Sequence, residues 1–317
     1  CIAFVMECFE LGLINKNHTG GLVLHFGNRQ AALELLHQIA QGKGFGQVVG
    51  QGIRKMKEIF TAEYGADAAM MQDIGMEAKG LEFAEYVSKE SLAQQGGFGF
   101  ALKGPQHDEA WLIFLDMVHN LMPTFEQKAE ALHWFPMFRT WFGLCGLCKL
   151  PWNDIVPEDN KDTEDPAKVI KHVEWYAQYF TAVTGRSASP DDLIIMSEVV
   201  YNFQRIFNLK MGFGRREHDS IPYRAMGPVT VDEYESRRER YDKQLVETYG
   251  ADIAGKTSEE KVALLRRFRQ NQYEKLQDAV YKRRGWTRDG IPTVETVKRL
   301  GIDFPEVMDL LRAHGIE

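Results

Sequence analysis

The densest chemistry in this 317-residue chain lies in the run Phe142-Gly143-Leu144-Cys145-Gly146-Leu147-Cys148-Lys149-Leu150-Pro151. Glycines at 143 and 146 leave the backbone open, so a bulky ligand can approach its N–H groups, and a thiolate at Cys148 is a ligand for soft metals. Zinc or an iron–sulfur cluster needs four ligands, and the other cysteines, Cys1 and Cys8, lie in a distant helical stretch. By residue type alone the pair reads most simply as two buried free thiols beside a helix C-cap. The second candidate is Lys103-Gly104-Pro105-Gln106-His107-Asp108-Glu109-Ala110-Trp111, where His107 sits between a Gly-Pro turn and an expected helix start. Such an imidazole exchanges protons near neutral pH; a helix start lowers its pKa and the flanking acids raise it. The plainer reading is a capped helix start whose acids complement the dipole. His119 and His133 fall on apolar faces and read as core, and His218 lies in a charged loop. Trp134, Phe135, Phe138, Trp141 and Phe142 read as core before they read as the wall of a pocket for a planar substrate.

Mostly helical elements must position these groups. The pattern Ile2, Val5, Met6, Phe9 opens a helix without an N-cap residue, and Gly20 to Asn28 alternates like a short strand or hairpin arm. Helices are expected over 29–41 and from about Gly46 to Phe60, with irregular backbone at Ala78–Phe83 and at Gly96-Gly97-Phe98-Gly99. Residues 108–119 and 125–144 read as helices, the second kinked at Pro136. The polar stretch Pro151–Pro166 is the expected internal boundary, giving a helical cofactor and substrate-pocket domain over 1–150 and a second helical domain over 151–317. Beyond it come helices at 166–184, after Ser189-Pro190-Asp191-Asp192, after Thr230, at Ser258, and after Pro292 and Pro305.

Composition narrows the class. Hydrophobic residues are 44% and charged residues 26%, as in globular proteins, and no apolar run reaches the ~18 residues of a membrane span. A net charge of −7 and a pI near 5.8 speak against a broad nucleic-acid footprint. Four cysteines are too few and too uneven for a disulfide framework, and no signal-peptide pattern opens the chain. The expectation is a piece of a longer protein from a reducing, cytoplasmic compartment.

Taken in order, these residues resemble the aldehyde:ferredoxin oxidoreductase family. The resemblance is carried by Ile2-Ala3-Phe4-Val5-Met6-Glu7 with Gly12-Leu13-Ile14, by Gly21 to Asn28, by Gly44-Phe45-Gly46 with Gly50-Gln51-Gly52, and by Lys79-Gly80-Leu81-Glu82. It continues through Tyr201-Asn202-Phe203, Arg205 to Asn208, Gly212-Phe213, Asp219 to Pro222, Arg284-Gly285-Trp286 and Asp289 to Thr293. It implies a mostly α fold, the carboxy-terminal helical domains of that family with a short β segment. It also implies a tungsten, or less often molybdenum, bis-pyranopterin beside one [4Fe–4S] cluster, with ferredoxin or an iron–sulfur electron-transfer subunit as partner, in an anaerobic setting. A missing amino-terminal half would cover the other side of the cofactor.

The family's second pterin motif, Asp-x-x-Gly-Leu-Cys, ends like Gly146-Leu147-Cys148, which implies Cys148 as the last cluster ligand, with the other three upstream of Cys1 and Cys145 a small buried hydrophobe. Lys79, Gly143, Gly146 and Leu147 are implied as cofactor-binding positions, and His107 as the catalytic histidine. Two positions depart from the pattern: Gly143 stands where the motif has Asp, and Phe98 to Gln106 replaces the stretch that usually precedes the histidine. These departures, with the aromatic run 134–142, look closer to the class II benzoyl-CoA reductase catalytic subunit. That resemblance implies reduction of an aromatic acyl-CoA; oxidation of aldehydes to acids and a non-catalytic structural lobe are the alternatives.

Overall fold

The computed structural model describes residues 1–148, 165–169 and 171–317. In chain order the helices are α1 (Ile2–Glu10), α2 (Arg29–Gln41), α3 (Gly46–Val49), α4 (Ile53–Ala62) and α5 (Ala68–Ile74). Strands β1 (Glu77–Ala78) and β2 (Leu81–Glu82) follow, then α6 (Leu92–Gly99), α7 (Phe125–Leu144), α8 (Lys171–Thr184) and α9 (Pro190–Lys210). The chain closes with α10 (Val231–Glu235), α11 (Arg238–Lys243), α12 (Ser258–Arg283), α13 (Val294–Arg299) and α14 (Pro305–Ala313). The fold is mostly α with a short β segment. No helix among the described residues is long and apolar enough to cross a membrane.

Two compact units result: Cys1–Lys89 with Ile221–Arg269, and Glu90–Ser220 with Gln270–Glu317. The division expected near residue 150 falls on residues outside those described. The compact units divide the chain differently, because α9 packs along α7 and so places residues from both sides of that point in one body. The first unit is built on Phe4, Leu35, Phe45, Met56 and Phe60, with Phe4 and Phe45 each stacked 6.1 Å from the Phe60 ring. A satellite of Tyr234, Tyr241, Leu245 and Leu265 completes it. In the second unit Leu102, Met137, Tyr201, Tyr281 and Trp286 form one cluster, and Ile206, Ile291, Val297 and Leu311 anchor another.

Side-chain caps start the helices where the sequence offers them. Asn28 Oδ1 accepts from Ala31 N at 3.1 Å, while Thr124 with Gln127 and Ser189 with Asp192 form reciprocal capping boxes. Several expectations change. Residues 20–28 form turns, since Gly20, Gly21 and Gly27 take positive φ and the Asn28 amide donates to Val23 O. The described sheet instead pairs Glu77 with Glu82 and Ala78 with Leu81. The helix expected from Gly46 to Phe60 breaks at Gly50-Gln51-Gly52, where the Glu82 carboxylate accepts from Ile53 N at 2.9 Å and starts α4 anew.

The run Gly96–Gly99, expected to be irregular, is the buried end of α6. Close approach explains its composition: a Cβ on Gly96 would lie 2.5 Å from Leu132 Cδ1, one on Gly97 2.6 Å from Ala110 O, and one on Gly99 would strike the Tyr273 hydroxyl and sit 2.8 Å from Asp219 O. Pro136 lies inside α7 and cannot donate to Leu132 O, one turn back. The buried Arg284 fills that place, its Nη2 donating to Leu132 O at 3.0 Å.

Gly99→Ala is expected to lower stability by about 1–3 kcal/mol through overpacking. Gly143→Ala, where an added Cβ meets nothing within 4 Å, should not. Thermal unfolding of both variants checks this, and equal midpoints would show that the α6 approach is slack.

Candidate functional site

His107 stands in the second unit in an irregular turn, not at a helix start. The helix expected over 108–119 is replaced by turns and a single π-helical stretch, Phe114–Val118. The cause is Gln94, fully buried on α6. Its Oε1 accepts from Leu112 N at 2.8 Å and Ile113 N at 3.1 Å, and its Nε2 donates to Ala110 O at 3.2 Å. Backbone groups that a helix would have paired are thus held by a side chain from outside.

Four further hydrogen bonds fix this turn. The buried Glu109 carboxylate accepts from Leu102 N at 3.3 Å and from the Tyr201 hydroxyl at 3.4 Å. Asn208 Nδ2 donates to Leu102 O at 2.8 Å, and Arg139 Nη1 donates to Asp108 O at 3.0 Å. His107 itself is half-buried. Burial pushes its pKa below the ordinary value; Asp108 opposes the shift, and Arg139 and Lys103 add to it. No helix dipole is needed. His133 is drawn down to about 4, chiefly by burial and then by Arg284, as suits a core histidine.

The thiol-bearing turn closes α7. Leu147 N donates to Phe142 O at 2.9 Å and Gly146 N to Gly143 O at 3.3 Å, with Gly146 at φ 69, which is the Schellman arrangement. Gly143, Gly146, Leu147 and Cys148 are all exposed, and a Cβ on either glycine would meet nothing within 4 Å. Cys145, expected to be a buried hydrophobe, is the exposed C-cap, because the helix ends before it can turn inward. Even partial burial raises its thiol pKa. The aromatic side chains of this helix from Trp134 to Phe142 are core: Phe138 and Phe142 meet edge-on at 5.4 Å, and Tyr176 packs on Phe142 at 4.8 Å. Arg139 and Cys145 are six residues apart, about 9 Å along the helix axis, so one helix carries both the anchor of the His107 turn and the thiol turn.

No group of three or more His, Cys, Asp or Glu side chains among the described residues is arranged to hold a metal ion. The exposed Cys148 thiol offers a single soft ligand, and the open glycine turn leaves its backbone accessible beside it. Lys79 belongs to the first unit, at the tip of the β1–β2 turn with φ 56, a left-handed position that glycine or asparagine usually fills. Beneath it Glu77 accepts from Gly80 N at 3.0 Å and pairs with the buried Lys57 at 2.7 Å.

Sequence reasoning missed Gln94, Arg139 and an ionic group in the first unit. There Arg224 pairs with Glu7 at 2.7 Å and with Glu233 at 3.1 Å, and Lys89 lies 3.6 Å from Glu233. Glu7, Lys89 and Arg224 face a cavity of about 410 Å³ with Phe4, Ile74 and Phe83. Burial raises the Glu7 pKa against the pull of Arg224. The available signal was a charge inside an apolar run: Glu7 after Ile2–Met6, and Arg139 among Trp134–Phe142.

The family described as "Aldehyde ferredoxin oxidoreductase, domains 2 & 3" matches residues 1–302. The tungsten-containing aldehyde ferredoxin oxidoreductase of Pyrococcus horikoshii is 24% identical over 319 residues, covering 95% of this chain and 42% of its own length. Its counterpart from Pyrococcus furiosus is 24% identical over 308 residues, with the same coverage. A solved structure titled as the active-site complex of benzoyl coenzyme A reductase with 1,5-dienoyl-CoA shares the fold, with a TM-score of 0.62 at 16% identity over 99% of this chain and 44% of that one. The chain thus spans less than half the length of these relatives.

Gln94→Leu should strip three hydrogen bonds from residues 110–113 and free the His107 turn. Hydrogen–deuterium exchange over residues 100–113 is expected to quicken while α9 keeps its protection. Unchanged exchange would mean that the turn is held by other contacts.

Proposed function

From the premise that this chain belongs to the aldehyde ferredoxin oxidoreductase family, we propose that it works within a tungsten-pterin oxidoreductase that reduces an aromatic acyl-CoA of the benzoyl-CoA type. The observation that carries the reading is the pinned turn around His107, a half-buried imidazole held by side chains from α6, α7 and α9. The fold likeness to the benzoyl coenzyme A reductase complex supports the substrate class. When bound, a tungsten or molybdenum bis-pyranopterin supplies the two-electron chemistry, and a [4Fe–4S] cluster relays electrons from ferredoxin or an iron–sulfur subunit.

The residues of this chain have separate tasks. Cys148 would give one thiolate to the cluster, the exposed turn Gly143–Leu147 would leave its backbone open to the pterin, and Lys79 would bring a cation to the cofactor's anionic groups. His107 would deliver a proton to the substrate ring as electrons arrive. A lowered pKa makes the imidazolium the stronger acid, at the expense of the fraction loaded at neutral pH.

Oxidation of an aldehyde to its acid is the second reading. It is favoured by the names of the Pyrococcus relatives and by the same lowered pKa, which leaves His107 neutral at pH 7 and fit to take a proton. The two readings differ in the sign of their pH dependence. A donor is lost as pH rises through the His107 pKa, below the ordinary 6.5, whereas a base is lost as pH falls through it.

In the complete enzyme, His107→Ala should keep metal and iron content, lower turnover roughly 10²- to 10⁴-fold and remove the matching limb of the pH profile. Turnover unchanged with both benzoyl-CoA and aldehydes would take His107 out of the mechanism. Cys148→Ala should lose cluster iron and sulfide, with Cys145→Ala retaining them; the reverse pattern would reassign the ligand.

A further inference from the structure

Arg139 lies in the middle of α7 at 2% exposure, inside a run of aromatic and apolar side chains. Desolvating a guanidinium is unfavourable by several kcal/mol, and a carboxylate is the usual compensation. Arg139 forms no ion pair among the described residues. Its Nη1 donates to the Asp108 carbonyl at 3.0 Å, the Phe135 ring lies 5.6 Å from Cζ, and its Nε has no hydrogen-bond partner among the described residues. The Asp108 carboxylate next door is held at 2.5 Å by Lys103 Nζ. Burial draws the Arg139 pKa down to about 10, so the group is still a cation at neutral pH. A buried cation with no carboxylate bonded to it among the described residues is a stability liability that Leu or Met would not carry, and the backbone group it binds there, the Asp108 carbonyl, is adjacent to His107.

We infer that Arg139 is a positioning residue for His107: its guanidinium fixes the 107–109 turn through the Asp108 carbonyl and keeps a buried positive charge beside the imidazole. The inference rests on the proton-handling role proposed for His107. Among the described residues, the charged groups that bear on that ring include Asp108, which favours the imidazolium, and Arg139 and Lys103, which oppose it, with burial opposing it most. Glu109 is engaged by Leu102 N and the Tyr201 hydroxyl. Lys103 is half exposed and screened by water, so the unscreened charge on α7 is the steadier of the two cations. Together they make His107 readier to give up its proton than an imidazole in water.

The test uses the complete protein carrying Arg139→Met or Arg139→Lys. Diethyl pyrocarbonate attacks neutral imidazole, so the pH midpoint of His107 modification, read by mass spectrometry of its peptide, reports protonation whether or not turnover depends on it. The midpoint should lie below 6.5 in the parent protein, rise in Arg139→Met, and stay near the parent value in Arg139→Lys. The matching limb of the kcat/KM profile should move with it. An unchanged midpoint in a folded Arg139→Met protein would overturn the inference. A midpoint that moves while the rate profile stays would sustain the link between the two side chains and overturn the function proposed for His107. If Arg139→Met fails to fold, Arg139→Gln, which keeps a donor for the carbonyl without the charge, is judged by the same midpoint.

Discussion

The second unit is organised around one fully buried ion pair. Arg205 Nη1 and Nη2 donate to the two Asp219 oxygens at 3.0 and 2.9 Å, and Arg205 Nε donates to Gly290 O at 2.8 Å. The Tyr281 hydroxyl donates to the same carboxylate and the Tyr273 hydroxyl to the Asp219 carbonyl. Burial first, and the Asp219 charge second, push both phenols far above their ordinary range, so they remain donors. The pair joins α9, the turn at 216–219, α12 and the loop before α13. Such a bidentate pair contributes little net stability against an apolar replacement, but loss of either partner leaves an uncompensated charge at roughly 3–5 kcal/mol. Its role is register: Gly290 is glycine because a Cβ there would lie 2.5 Å from Arg205 Nη2, and α6 reaches the same point through Gly99.

The same physics recurs wherever the backbone departs from regular structure. A buried carbonyl or N–H left open by an irregular residue must find a partner, and here the partner is repeatedly a long polar side chain. Gln94 serves residues 110–113, Glu82 serves the start of α4, and Arg284 serves the carbonyl that Pro136 cannot. The His107 turn is therefore held by side chains from three helices, although no local periodicity supports it. A turn of this kind can present an imidazole in a direction that a helix start would not allow.

This division of labour explains what could be read from the sequence. Helix starts at Ser189 and Thr230 depend on residues within a few positions and were legible, as was the helical class; the caps at Asn28 and Thr124, equally local, were not read. The helix at Gly96–Gly99 was not, because its glycines answer to Leu132, Tyr273 and Asp219, far away in the chain. The expected helix at 108–119 failed for the same reason, since Gln94 outbids the local preference. His107 and Cys148 entered through resemblance to a family. Arg139 and Glu7 were passed over because a charge in an apolar run was read as part of the run.

Pro136 and Arg284 illustrate a wider consequence. The proline creates a vacancy on Leu132 O and the arginine occupies it, its guanidinium lying 4.9 Å from the rings of both Tyr201 and Trp286. Neither residue is independently replaceable. A chain that reverts the proline first regains a backbone donor for Leu132 and turns a useful guanidinium into a surplus buried charge; one that loses the arginine first strands the carbonyl. The two positions are therefore coupled, and the double change restores an ordinary helix. Drift in this part of the fold is constrained to treat the two positions together.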